Sequence, residues 1–291
     1  MRPRSLSVWV AAARPRTLPA AIVPVMVGLS LASRVGPINW PAAVITLLAA
    51  LLIQVGTNLA NDYYDFVAGA DRDDRLGPMR VTQAGLADAA TVRNAAYGVL
   101  GAAALSGLYL VAVGGWTILL IGILSLLCAI AYTAGPWPLA YRGLGELFVF
   151  VFFGLVAVNG TLLVQTGRLE GLGFLASIPV ACLVTAILVV NNLRDIATDA
   201  RSGKRTLAVR IGAGATRLEY LLLISAAFLS IPELASIAGP RVLLALGALP
   251  FAAREIVALR RRDGAALNLS LAGTARLHLI FGALLSIGLI A

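Results

Sequence analysis

Apolar residues run along this chain in long blocks, broken by short polar clusters. A helix needs about 20 mostly apolar residues to cross the hydrocarbon core of a bilayer. Nine blocks reach that scale, approximately Thr17–Ser33, Trp40–Ala60, Asn94–Val113, Trp116–Thr133, Glu146–Gln165, Leu172–Leu193, Leu218–Ala235, Val242–Leu259 and Ala272–Ile290. The pattern therefore predicts an all-α polytopic membrane protein with nine transmembrane helices in a bundle. The spans leave no stretch for a separate soluble domain, so residues 1–291 are expected to form a single integral-membrane domain.

Composition narrows the class. Hydrophobic residues make up 59% of the chain and charged residues 13%. Soluble domains average about 45–50% and about 25%. A mean hydropathy of +0.90 points the same way. A soluble enzyme, a disordered chain, a coiled coil and a disulfide scaffold are excluded. Cys128 and Cys182 both lie inside apolar runs and imply no disulfide or metal framework.

The net charge of +9 changes the picture only once the charges are placed. Of 23 Lys and Arg, 20 fall in the N-terminal segment, in the connections after spans 2, 4, 6 and 8, or at their flanks. Arg34, Arg168 and Arg241 alone fall on the other side. Cytoplasmic loops carry the excess of Lys and Arg. The chain is thus expected in the cytoplasmic (inner) membrane, with its N-terminus in the cytoplasm and its C-terminus outside. The charge is mainly topological, with membrane lipid as the natural partner. Nucleic acid is not an expected partner, because the basic loops lack interleaved stacking aromatics. Twelve of 14 Asp and Glu share the same side, with Glu170 and Glu233 the exceptions. The insertion rule largely ignores acids, so their clustering needs another cause.

Two clusters supply it. Asn58, Asp62 and Asp65 stand at i, i+4 and i+7 if the second span continues as helix, which places them on one face. Asn191, Asp195 and Asp199 stand at i, i+4 and i+8 at the end of the sixth span. Neighbouring carboxylates at a membrane boundary repel, and a divalent cation compensates them. Mg²⁺ takes hard oxygen ligands and is usually held by one or two carboxylates plus substrate phosphates. Lys204 and Arg205 follow the second cluster, and acids beside fixed cations point to metal plus a polyanion. The clusters sit four spans apart, as a four-helix pseudo-repeat plus one helix would place them, with one acidic site per half. Two such sites are expected to bind two Mg²⁺ ions about a diphosphate.

The connection from Tyr132 through Tyr141 to Glu146 is rich in Gly and Pro. Its Trp137 suits an interfacial aromatic belt, whereas Tyr132 and Glu146 face the side of the acidic clusters. Asp71, Asp73, Asp74, Asp88 and Asp263 read as solvated loop acids. His278, the only histidine, reads as a packed residue and cannot support a His-based metal site.

The segments Asn61-Asp-Tyr-Tyr-Asp65 and Asn191-Asn-Leu-Arg-Asp-Ile-Ala-Thr-Asp199 resemble the two Asp-rich motifs of the UbiA-type intramembrane prenyltransferases. The likeness extends over Arg14-Pro-Arg-Thr-Leu-Pro19, Gly77-Pro-Met-Arg-Val-Thr-Gln-Ala-Gly85, Tyr132–Glu146 and Gly203-Lys-Arg-Thr-Leu-Ala-Val-Arg210. These flanking segments resemble most the branch that prenylates 1,4-dihydroxy-2-naphthoate in menaquinone biosynthesis. The resemblance implies Mg²⁺ held by Asp62, Asp65, Asp195 and Asp199 with Asn58 and Asn191, these four aspartates being the catalytic set. It implies that Asn58, Asn191, Lys204, Arg205, Arg14, Tyr132 and Tyr141 bind a polyprenyl diphosphate and an aromatic acceptor at the cytoplasmic side. One departure stands out: the commoner first motif has another Asp four residues after Asp65, where this chain has Gly69. Asp71 lies two residues further on and is left outside the metal set. Other acceptors, such as 4-hydroxybenzoate or a homogentisate-like ring, remain open. A cation-coupled transporter is the alternative of another class, but its carboxylates belong near the bilayer midplane.

Overall fold

The computed structural model describes residues 6–69 and 76–290, which leaves Arg2, Arg4, Asp71, Arg72, Asp73, Asp74 and Arg75 outside the described residues. The described chain forms helices α1 (Leu6–Ala13), α2 (Pro19–Ser33), α3 (Trp40–Val67), α4 (Ala89–Gly114) and α5 (Trp116–Ala131). It continues with α6 (Gly145–Val149), α7 (Ala157–Thr166), α8 (Gly171–Arg201), α9 (Leu207–Ala238), α10 (Leu249–Arg261) and α11 (Leu267–Leu289). A π-helical stretch, Phe150–Val156, joins α6 to α7, and a 3₁₀ stretch, Pro240–Ala248, leads into α10.

Each expected apolar block coincides with a helical segment. Seven segments are long and apolar enough to cross a membrane, and the bent pair α1–α2 makes an eighth. The remaining block, α5, has 16 residues. At 1.5 Å per residue it is about 24 Å long, short of a hydrocarbon core of about 30 Å. The count of nine full spans is therefore not reached among the described residues. The largest differences in boundary have local causes. α3 and α8 run on to Val67 and Arg201, past the expected ends of their spans, because the acidic motifs continue the helices. α1 was not expected. Arg14 precedes a proline, which disfavours the helical region there; it takes φ +52°, and the two helices meet at 54°.

α8 occupies the centre. Of its apolar window 78% is buried, against 22% for α4 at the rim. Around it pack α2, the π-helical stretch, α9 and α11. Lipid tails are as apolar as leucine, so helices associate in a bilayer by close contact of small residues and by polar pairs rather than by the hydrophobic effect. Gly154 meets Ala181 of α8 so closely that a Cβ there would sit 2.1 Å from the alanine methyl. Tyr220 and Thr274 share a buried hydrogen bond of 2.9 Å between α9 and α11.

Polar contacts sort the connections onto two ends. At one end Arg34 donates to the Leu289 carbonyl at 3.0 Å, Gln165 brackets Asn39, and Arg168 pairs with Glu170. At the other end Asn58 reaches Ala13, Asn268 reaches Leu76, and Arg217 pairs with Asp263. This second end holds both acidic helix termini.

Candidate active site

α3 enters the site as regular helix, so Asn58, Asp62 and Asp65 share a face, and all three are buried. Asn58 is fixed first. Its Nδ2 donates to the Ala13 carbonyl at 3.0 Å and to Thr17 Oγ1 at 3.2 Å, which brings the bend at Arg14 against α3. Gln54, one turn earlier, donates to the same threonine at 3.2 Å.

Asp62 and Asp65 are 1% exposed. Burying a carboxylate is costly unless it is paired and hydrogen-bonded. Asp62 accepts the backbone N–H groups of Val81 (3.0 Å) and Thr82 (3.1 Å) on its two oxygens. Asp65 takes partners from three different connections. Arg80 donates to Oδ2 at 2.7 Å, the Tyr141 hydroxyl donates to Oδ1 at 2.9 Å, and Lys204 Nζ lies 3.3 Å from Oδ2. Lys204 also lies 4.9 Å from the centre of the Tyr141 ring. One carboxylate at the end of α3 thus ties together the loops that follow α3, α5 and α8.

The second cluster is arranged differently. Arg194, on α8 itself, grips Asp195 through two hydrogen bonds of 2.8 and 2.6 Å. The same guanidinium donates to Asn191 and to Asn268, each at 2.8 Å. Asp199 is half-buried, and its backbone carbonyl accepts the N–H of Lys204 at 2.9 Å. The turn at Gly203, with φ +76°, suits a residue without Cβ and swings Lys204 back toward α3.

The structure therefore brings together Asn58, Asp62, Asp65, Tyr141 and Lys204, with Arg14 following Ala13, whose carbonyl Asn58 holds. It groups Asn191 with Asp195, and Asp199 lies one turn on. The Arg205 backbone N–H donates to the Tyr141 carbonyl at 3.1 Å, but its side chain is exposed and pairs with no acid among the described residues. Tyr132 stands beside Gly145, where a Cβ would come within 3.1 Å of its hydroxyl. Three residues of the site were not singled out from the sequence: Arg80, Arg194 and Asn268. Arg80 stands in the Gly77–Gly85 segment and Arg194 inside the second motif, so each had a signal as a motif residue. Nothing in the sequence near Asn268 announces its role, which depends on α11 meeting α8.

No three Asp, Glu, His or Cys side chains among the described residues converge closely enough to cage a metal by themselves. The donor set nevertheless fits Mg²⁺. It is all oxygen, two carboxylates per helix end, and such sites are completed by substrate phosphates and water. A carboxylate offers about four lone-pair sites, so the two bonds already made to Asp62 leave room for a metal, whereas Asp65 already holds Arg80, Tyr141 and Lys204.

The UbiA prenyltransferase family profile matches residues 21–280. The chain is 40% identical to a 1,4-dihydroxy-2-naphthoate octaprenyltransferase of Mycobacterium tuberculosis, over 89% of this chain and 88% of that one. It is 37% identical to the Escherichia coli protein of the same name, over 97% and 94%. Among solved structures, it is similar to a UbiA homolog from Archaeoglobus fulgidus bound to GPP and Mg²⁺, with a TM-score of 0.71 at 16% identity, covering 97% of this chain and 99% of that one. The same protein bound to DMAPP and Mg²⁺ gives a TM-score of 0.70 at 17% identity over 97% and 98%. With its all-helical fold, its paired acidic helix ends and a match over most of its length, the chain belongs to the UbiA prenyltransferase family.

Proposed function

We propose that this protein transfers a polyprenyl group from a polyprenyl diphosphate to 1,4-dihydroxy-2-naphthoate, with loss of the ring carboxylate as CO₂, giving the hydroquinone form of demethylmenaquinone. The observation that carries the reading is the convergence on Asp65 of Arg80, Tyr141 and Lys204, which joins the two Asp-rich helix ends into one site. The names of the relatives that match at 37–40% identity support the acceptor.

Asp62, Asp65, Asp195 and Asp199, with Asn58 and Asn191, would hold Mg²⁺ as two ions, which when bound would neutralise charge on the diphosphate leaving group. Lys204 and Arg14 take phosphate oxygens that the metal leaves, with Arg205 at the rim. As the allylic C1–O bond breaks, negative charge grows on the departing oxygen. Fixed cations aimed at that position favour the transition state over the ground state. The allylic cation left behind needs a dry and electron-rich wall, which the Tyr132 and Tyr141 rings and the apolar helices provide. The ring carbon bearing the carboxylate then bonds to C1 of the prenyl group, CO₂ leaves, and its electron pair restores the aromatic ring. The prenyl tail stays between helices in the lipid, which is why this chemistry calls for a membrane protein. The site faces the cytoplasm, since it shares its end of the bundle with most of the Lys and Arg.

An acceptor screen tests the reading. Purified protein, Mg²⁺ and a prenyl diphosphate are offered dihydroxynaphthoate, 4-hydroxybenzoate or homogentisate, and CO₂ and prenylated product are measured. Product and CO₂ with dihydroxynaphthoate alone are expected. Equal or better turnover of another ring rejects the assignment.

A further inference from the structure

Glu146 is buried at the start of α6, on the side of the bundle that holds the acidic helix ends, and the roles assigned above do not use it. It is 6% exposed. Asn192 donates to its Oε1 at 2.7 Å, while Oε2 is buried with no hydrogen-bond partner. A buried carboxylate oxygen left unpaired is costly, and such atoms in a folded protein call for a functional explanation. The surroundings supply one. Tyr132 lies near enough to Glu146, Asp65 and Asp199 to feel all three carboxylates. Glu146 thus shares Tyr132 as a neighbour with both acidic clusters, where the diphosphate and prenyl C1 are assigned. Gly145 is what lets the Tyr132 hydroxyl approach this helix start. Asn192 turns toward Glu146 while its neighbour Asn191 turns to Arg194, so α8 serves the two places with adjacent residues.

We propose that the Oε2 oxygen of Glu146, with the carboxylate steadied by Asn192, accepts a hydrogen bond from a ring hydroxyl of the aromatic acceptor and thereby selects for hydroxylated rings. This rests on the prenyl-transfer reading. In its ionised form the carboxylate can only accept, so it then matches a phenolic O–H and rejects an analogue lacking one. The contact also pushes electron density into the ring that must attack the allylic cation. Asn192 is a positioning residue in this arrangement.

The test combines a change in the protein with a change in the ligand. Full-length wild type and Glu146→Gln are assayed in lipid nanodiscs with Mg²⁺ and a prenyl diphosphate, with dihydroxynaphthoate as the varied substrate. The competing ligands are 1-hydroxy-2-naphthoate and 4-hydroxy-2-naphthoate, each lacking one hydroxyl. A hydrogen bond to a charged group corresponds to about 10–100-fold in affinity. One of the two analogues should bind wild type weaker than the parent by that factor. Glu146→Gln should bind the parent and that same analogue within about threefold of each other, with the KM for the prenyl diphosphate unchanged. Glu146→Asp, which keeps the charge but withdraws it by one methylene, should show the same acceptor-only defect if the Gln protein does not fold. An unchanged preference for the hydroxylated ring in both variants overturns the proposal, as does an equal loss for acceptor and diphosphate. Wild-type turnover of a different ring would instead reject the acceptor assignment, and that outcome is visible in the wild-type data alone.

Discussion

The two acidic helix ends look alike in sequence and differ in how they are held. At the end of α3, Asp62 and Asp65 bind outward, to the backbone of Val81 and Thr82 and to cations and a tyrosine from other connections. At the end of α8, Asp195 binds inward, to the arginine that precedes it on the same helix. The first cluster organises loops; the second is organised by its own helix. Both helix ends thus present carboxylates, but the first ties three connections together while the second ties mainly to its own helix and to Asn268.

This difference can be broken by mutation. The largest effect is expected for Asp65→Ala, which takes a carboxylate from two cations at once, one of them fully buried. Stripping a partner from a buried ion pair costs about 3–5 kcal/mol, so thermal unfolding in detergent should fall sharply and activity should vanish. Asp195→Ala should abolish activity too, at the lower end of that range, about 3 kcal/mol, because buried Arg194 loses its acid but keeps Asn191 and Asn268. Equal losses of stability in the two variants would erase the contrast between the halves. Lys204→Met ranks next, with a drop in turnover of about 10²–10³-fold and a modest loss of stability. Partial recovery in Lys204→Arg would locate the effect in the charge. Gly154→Val overpacks the contact with Ala181 and should cost about 1–3 kcal/mol, while KM for either substrate stays put.

The smallest effect belongs to Asp88, an exposed residue that caps α4. Hydrogen bonds from the Thr91 side chain and backbone N–H hold its carboxyl below the usual aspartate range. Its contribution is present above the unfolded value of about 3.9 and is lost as pH falls through the lowered folded value. Asp88→Ala should therefore flatten a slight stability dependence in acid and leave activity alone.

Much of this arrangement was legible in the sequence. Long apolar blocks mark helices because a bilayer leaves the backbone no other partner. The i, i+4 spacing of Asn58 with Asp62, and of Asn191 with Asp195, put the acids on shared faces before any coordinates. What stayed hidden were tertiary facts. The pairing of Arg80 with Asp65 depends on how one loop folds back over α3. The π-helical stretch Phe150–Val156 and the break at Gly212, where φ is +79°, have no pattern in the apolar periodicity. The unpartnered oxygen of Glu146 appears only once α6 meets α8.

The central claim is that both acidic helix ends serve one metal-dependent diphosphate site. Binding of a non-reactive prenyl thiolodiphosphate, measured by calorimetry with and without Mg²⁺, tests it most directly. Wild type should bind only with Mg²⁺, and Asp62→Asn and Asp195→Asn should each lose that Mg²⁺-dependent binding while remaining folded. Wild-type affinity in either variant at saturating Mg²⁺ would contradict the account.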